Sequence, residues 1–298
     1  MKKASKGMKY TRRGAGVCSL SSVGGCRDAD IIIPEQVFIK GRVTEIDNYA
    51  FRNCSLIKSV VIPEGIISIG DYAFENCKNL EHIVLPQSLK SIGRGAFIHC
   101  EKLKNIVLPA TITSISAETF ACCHSLECID LSRIRSIGKY AFAKCDSLNN
   151  IAIGDAFAEI FASSFQDSGY YMHHGNWKDG LLYLGKWVIG CNGAIDEYIL
   201  KKDTVGIAAD VFANEWHIKR TKNPEYDDVL DWFNAALECP NMMLPDLSHT
   251  PEYFEEIVPA KIRYEGTTAE WNRIVKLRGE KRIPAFVTTD DEPIETYL

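Results

Sequence analysis

The sequence predicts a β-rich solenoid of about seven stacked coils, and three observations carry that prediction. The first is a phrase written six times: IGDYAFENCKNLEHIVLP from Ile69 to Pro86, and IGRGAFIHCEKLKNIVLP from Ile92 to Pro109. Shorter copies stand at Ile46 (IDNYAFRNC), Ile115 (ISAETFACC), Ile137 (IGKYAFAKC) and, most worn, Ile160 (IFASSFQDS). The second is the step. Phe51, Phe74, Phe97, Phe120, Phe142 and Phe165 recur every 23 residues, with one step of 22, and a fixed period in the twenties is the signature of a solenoid. The third is the pattern inside one unit, where Leu80, Ile83 and Leu85 follow L-x-x-I-x-L and Pro86 stops the strand.

One such unit cannot bury its own apolar residues, but a stack lets each coil cover its neighbour and builds a continuous interior. In the second coil, Leu80, Ile83 and Leu85 face inward from one strand, Leu89 and Ile92 from a shorter extended piece. Gly93 is then expected to permit a turn, and Ala96, Phe97 and Cys100 plug the far side. Six regular coils at the strand spacing would span about 29 Å.

These residues resemble the leucine-rich repeats of the BspA-like (bacterial surface antigen type) family, whose units read I-G-x-x-A-F-x-x-C-x-x-L-x-x-I-x-L-P. The resemblance covers most of the chain. It implies a right-handed, curved leucine-rich-repeat solenoid, with parallel strands on the concave face and mostly turns or short helical pieces opposite. It further implies a bacterial, cell-surface setting and a role in binding. The family motif is a packing motif without catalytic residues, so neither enzyme nor cofactor is expected.

Along the chain, residues 1–33 are read as an N-terminal extension and cap. Met1 to Gly16 is polar and basic, a flexible start, and Ile31 to Ile33 form a strand before Pro34. Capping is needed because an open solenoid end leaves apolar surface and strand edges in water. Residues 34–168 hold the regular repeats, with an excess around Phe38 to Gly41 forming a small loop. Residues 169–214 hold a hairpin, Gly180 to Cys191 with its turn at Gly185 and Lys186, and a seventh, degenerate coil marked by Tyr198, Leu200, Val205, Ile207 and Phe212.

Residues 215–256 form an acidic, irregular insertion with Trp216 and Trp232, in which Val229, Leu230, Phe233 and Leu237 predict a short amphipathic helix capped by Asp227 or Asp228. Residues 257–298 are the C-terminal cap. There Lys261 to Ile274 reads as a strand, a Gly-Thr turn and a short helix capped by Thr267 or Thr268, with Trp271 over the last coil. Ile283 to Val287 add a strand, and the acidic tail from Asp290 is loose. All five segments are expected to belong to one continuous solenoid.

The 298 residues suffice for a large core, and a net charge of −5 argues against a nucleic-acid binder, which usually shows a basic stripe. No apolar run approaches the roughly 18 residues that span a bilayer. The basic start has no apolar stretch behind it, as a secretory signal requires. The compartment is therefore left open between cytoplasm and export with the signal removed, and the resemblance points to export or the cell surface.

The cysteines Cys54, Cys77, Cys100, Cys123 and Cys145 form a column that invites a metal or disulfide reading. Zinc needs four converging ligands, however, and stacked parallel side chains do not converge, so these are read as small buried plugs. Cys18, Cys26, Cys122, Cys128, Cys191 and Cys239 lack metal spacing. Cys18 and Cys26 suit a cap disulfide if the chain is exported, and the odd total of 11 leaves at least one thiol unpaired within the chain. His173 and His174 are a loop pair without ligand spacing, and His82, His99 and His124 fall at outward or edge positions. No G-x-S-x-G, Walker-type or dinucleotide-binding phrase occurs, although a catalytic set can be assembled from distant residues.

The best candidate is a surface. By strand alternation, the residues flanking the central Ile point outward, in columns Ser59, His82, Asn105, Cys128, Asn150 and Val61, Val84, Val107, Asp130, Ala152. Lys58, Glu81, Lys104, Glu127 and Asn149 run beside them, while Ser68, Ser91, Ser114, Ser136 and Glu159 are read as a hydroxyl ladder serving the fold. Valine there also follows from strand preference alone. The expected function is non-catalytic recognition of a protein or cell-surface ligand through the concave strand face. The alternatives are an enzyme or small-ligand site in residues 169–256, and a purely structural spacer.

Overall fold

Three ladders of hydrogen bonds hold the repeats together in the computed structural model, two made of parallel β-strands and the third of turns. The structure describes residues 4–154, 157–192, 197–212, 260–276, 284–291 and 293–297. The chain divides into two compact units, Met1–Asn176 and Trp177–Leu298.

The first unit begins with β1 (Lys9–Gly14) and β2 (Val17–Ser22), followed by β3 (Asp30–Ile32), β4 (Gln36–Val37) and β5 (Gly41–Ile46). Longer and shorter strands then alternate as β6 (Ser59–Val61), β7 (Ser68–Ile69), β8 (His82–Val84) and β9 (Ser91–Ile92). The series continues with β10 (Ser114–Ile115), β11 (Cys128–Leu131), β12 (Ser136–Ile137), β13 (Asn150–Ile153) and β14 (Glu159–Ile160). The longer strands pair as β3–β6–β8 and β11–β13, and Asn105 bridges to Cys128 between the two groups. The shorter strands pair as β2–β5–β7–β9 and β10–β12–β14. Register repeats the sequence period: Val60 lies opposite Ile83, and Ile69 opposite Ile92.

The third ladder runs through the turns around each Phe. The N–H groups of Tyr72, Phe74 and Asn76 donate to the carbonyls of Arg94, Ala96 and Ile98 in the next coil at 2.8, 2.8 and 2.9 Å. The residues two before and two after the Phe adopt left-handed backbone, as Tyr72 (φ 55°) and Asn76 (φ 59°) do around Phe74, and Glu118 (φ 60°) and Cys122 (φ 59°) around Phe120. Between them every second N–H points toward the next coil. The intervening ones close turns within the coil, as Glu75 N–H does on Tyr72 O at 3.1 Å.

Inside the three ladders the six Phe rings lie in one file, all with no exposure. Their centroids are 4.8, 5.3, 5.5, 5.5 and 5.1 Å apart, with interplanar angles of 12° or less. Leu80, Leu103, Leu126 and Leu148 form a second fully buried file beside it. Cys77, Cys100, Cys123 and Cys145 are buried plugs that also make a specific contact. Each Sγ–H donates to the carbonyl of the Phe one coil back: Cys77 to Phe51 at 3.1 Å, Cys100 to Phe74 at 3.3 Å, Cys123 to Phe97 at 3.2 Å and Cys145 to Phe120 at 3.1 Å.

In the second unit, β15 (Trp177–Lys178), β16 (Leu181–Leu184) and β17 (Trp187–Cys191) form the expected antiparallel hairpin, with Leu184 opposite Trp187. Gly185 takes φ 61° in the turn. Then come β18 (Tyr198–Leu200), β19 (Gly206–Ile207), β20 (Ala260–Tyr264), β21 (Val275–Lys276), β22 (Pro284–Thr288) and β23 (Pro293–Tyr297). Two parallel ladders form again, β18–β20–β22 and β17–β19–β21. The short helix Thr268–Trp271 is capped as expected. Thr267 accepts from Glu270 N–H, Glu270 accepts from Thr267 N–H, and Trp271 is buried.

Four expectations need correction. The longer strands make six rungs in the first unit (β3, β6, β8, Asn105, β11, β13), and the second unit has three of its own (β18, β20, β22), about nine turns in all against the seven read from the repeats. The polar start expected to be loose holds a strand, Lys9–Gly14, antiparallel to β2, and β2 pairs in turn with β5. Within the tail expected to be loose, Asp291 and Pro293–Tyr297 are held in place. Pro293–Tyr297 pairs antiparallel with β22, and the Asp291 carboxylate accepts from Thr268 N–H.

The fourth concerns Gly93, which opens the expected turn, its carbonyl accepting from Ala96 N–H at 3.3 Å, but needs glycine for close approach and not for a left-handed backbone. A Cβ there would lie 2.6 Å from the backbone nitrogen of Asp71 in the preceding coil. The expected helix at Asp227–Leu237, and Trp216 and Trp232, lie outside the described residues.

Candidate interaction surface

The longer strands carry the surface because alternation divides each into one inward and two outward side chains. In β8, Ile83 is buried while His82 and Val84 are exposed; in β11, Ile129 and Leu131 are buried while Cys128 and Asp130 are exposed. Parallel register then stacks like positions. Ser59 lies opposite His82 and Val61 opposite Val84, and further along Cys128 lies opposite Asn150 and Asp130 opposite Ala152. Asn105 joins the first column through its bridge to Cys128.

All nine expected site residues face outward. Val61, Val84 and Val107 are 41 %, 57 % and 81 % exposed, so the stripe opens progressively before it ends in Asp130. The charge changes there too. The Ser132 hydroxyl and N–H hold the Asp130 carboxyl below its ordinary value of 3.8, the N–H at 2.9 Å from Oδ1. The face therefore reads as polar in one column and as apolar turning acidic in the other.

Sequence reading missed one rung of this face. β3 pairs in register with β6, placing Asp30 beside Ser59 and Ile32 beside Val61, and Ser59 Oγ–H donates to Asp30 Oδ1 at 2.5 Å. The signal was present, since Ile31 to Ile33 already read as a strand, but the long gap between Pro34 and Phe51 hid the register.

The neighbouring expectations resolve differently. Ser68 stacks on Ser91, and Ser114 on Ser136, along the short strands, yet no hydroxyl–hydroxyl bond joins them among the described residues. Likewise no ion pair forms along Lys58, Glu81, Lys104, Glu127 and Asn149 among the described residues. The coil-to-coil pairs lie on the turn ladder, where Arg52 meets Glu75 at 2.8 Å and Lys78 meets Glu101 at 2.8 Å. These are solvent-exposed pairs, whose worth is small.

Cys18 and Cys26 are buried free thiols, and Cys128 is an exposed one. Among the described residues no three His, Cys, Asp or Glu side chains gather where a metal could sit. No helix among them is long and apolar enough to cross a membrane.

Stacked 23-residue coils, a Phe file and a donor Cys in four successive coils mark a repeat array. The BspA type leucine rich repeat region matches residues 44–172 and 131–229, with six copies. The chain belongs to that family. Among solved structures, the BspA-type array here is similar to a leucine rich cell surface protein from Faecalibacterium prausnitzii, at 19 % identity and a TM-score of 0.54. That similarity covers 70 % of this chain and 73 % of the other. It is also similar to a leucine-rich repeat protein from Bacteroides ovatus, at 20 % identity and a TM-score of 0.50, covering 94 % and 67 %. At such identities the likeness is one of fold. No curated protein matches the chain.

Proposed function

We propose that the protein is a non-catalytic recognition module that binds a protein or cell-surface ligand through the outward residues of β6, β8, residues 105–107, β11 and β13. The observation that carries this is the Val61–Val84–Val107 stripe, apolar and increasingly exposed, flanked by the polar column Ser59, His82, Asn105, Cys128 and Asn150. Rigid strands hold these side chains at a fixed repeat, so a partner finds them already ordered and little freedom is lost on binding. The resemblance of the fold to a bacterial cell surface protein favours an extracellular partner.

The test uses a set of purified extracellular and cell-surface proteins arrayed against the wild-type chain and a Val84→Asp, Val107→Asp variant. The expected result is that proteins captured by the wild type are lost to the variant while its melting temperature is retained. Capture unchanged by the two carboxylates would dispose of this surface. No capture by either chain would favour the structural-spacer reading.

A further inference from the structure

The turn between β4 and β5 carries an apolar tip that its own unit does not bury. Phe38 is 90 % and Ile39 86 % exposed, the two most exposed large apolar residues described. Ile39 also sits at φ 70°, where a β-branched residue is a genuine outlier. Asn or Gly would occupy that position with less strain. The fold of this unit thus gains nothing from either side chain, and the pair points toward something outside it.

The surroundings of the tip are cationic. Gly41 packs so closely on the β1–β2 turn that a Cβ would lie 2.1 Å from the Gly16 carbonyl oxygen. Arg42 N–H donates to Gly16 O at 2.9 Å, and the Lys40 ammonium donates to the Tyr10 carbonyl. Arg12 on β1, with Lys40 and Arg42, is exposed at the tip's end of the sheet. Arg13 is held by Asp47 at 2.6 Å, and Glu35 and Glu45 are the remaining acids of the adjoining strands. Residues 1–27 hold seven Lys and Arg and no Asp or Glu, so with a total of −5 the rest of the chain carries −12.

We propose that this tip docks on an anionic lipid bilayer, with Phe38 and Ile39 entering the hydrocarbon boundary and Arg12, Lys40 and Arg42 meeting headgroup phosphates. An anionic membrane matches both halves of the patch. A nucleic acid or an acidic peptide would match the cations alone. A second copy would bring the same cations face to face across a two-fold contact. This surface is distinct from the strand columns, so either can fail without the other.

The experiment is sedimentation with vesicles of phosphatidylcholine alone and of equal parts phosphatidylcholine and phosphatidylglycerol. Wild-type protein is expected to sediment with the mixed vesicles and to be released by salt. A Phe38→Ser, Ile39→Asn variant, folded because Asn suits the left-handed position, is expected to bind at least about tenfold more weakly. Lys40→Gln with Arg42→Gln is expected to weaken binding by roughly fivefold per cation. Any of three results would overturn the proposal: equal binding to both vesicle types or to neither, mixed-vesicle binding unaffected by the Phe38→Ser, Ile39→Asn change, or a wild-type dimer that the same change converts to monomer.

Discussion

The interior and the outward strand face of the same coils obey the same period to very different degrees. Inward, the register is uniform: Phe at six successive positions, and Leu80, Leu103, Leu126 and Leu148 in another file, all fully buried. Outward, the equivalent column reads Ile32, Val61, Val84, Val107, Asp130 and Ala152. The difference lies in who the neighbour is. An inward side chain meets a copy of itself about one strand spacing away, so its size and shape are fixed by the coil above and the coil below. An outward side chain meets water or a partner, and only those constrain it.

The largest effect should come from the inward file. Phe97 stacks on both Phe74 and Phe120, so Phe97→Ala opens a cavity between three coils and is expected to cost about 3–5 kcal/mol. Denaturant unfolding would measure it, and a loss within the range of surface substitutions would break the contrast between the faces. Next come the cysteines. Cys100→Ala removes the Sγ–H bond to the Phe74 carbonyl, which keeps the Cys77 N–H at 3.1 Å, with an expected loss of about 0.5–1.5 kcal/mol.

The same thiols set a pH dependence. Burial pushes Cys100 and Cys123 well above the ordinary 9.0. Below about 9 both states keep the proton. Above it the unfolded chain ionises while the folded one does not, so stability declines as pH rises. A Cys100→Ala, Cys123→Ala variant should show a shallower decline between neutral and alkaline pH than the wild type, read from melting temperatures.

Smaller still is the turn ladder. His99→Gly relieves a left-handed residue at φ 59° and is expected to shift stability by no more than about 1 kcal/mol in the favourable direction. Smallest is the outward stripe. Val84→Asp is expected to stay within about 0.5 kcal/mol of wild type, and a larger loss would mean that the stripe serves the fold.

The inward face is the one that could be read from the sequence. Phe, Cys and Leu at fixed spacing announce a shared interior, and the hairpin at Gly185 and the Thr267 cap follow from local chemistry that needs no distant partner. What stayed hidden depends on pairing between segments far apart in the chain. Lys9–Gly14 looks polar and loose, yet it becomes a strand because β2 offers it an edge. Pro293–Tyr297 does the same against β22. Gly93 looks like a turn residue, and only the approach of Asp71 shows that it clears space. The outward columns could be placed but not interpreted, because nothing inside the chain fixes their identity.

Thiol labelling followed by mass mapping of each cysteine tests the division between faces most directly, because it puts the same chemical group on both sides of one array. In the native protein, Cys128 is predicted to react readily while Cys77, Cys100, Cys123 and Cys145 stay unmodified until the chain unfolds. Labelling of those four at the rate of Cys128 would contradict the stacked interior on which the account rests.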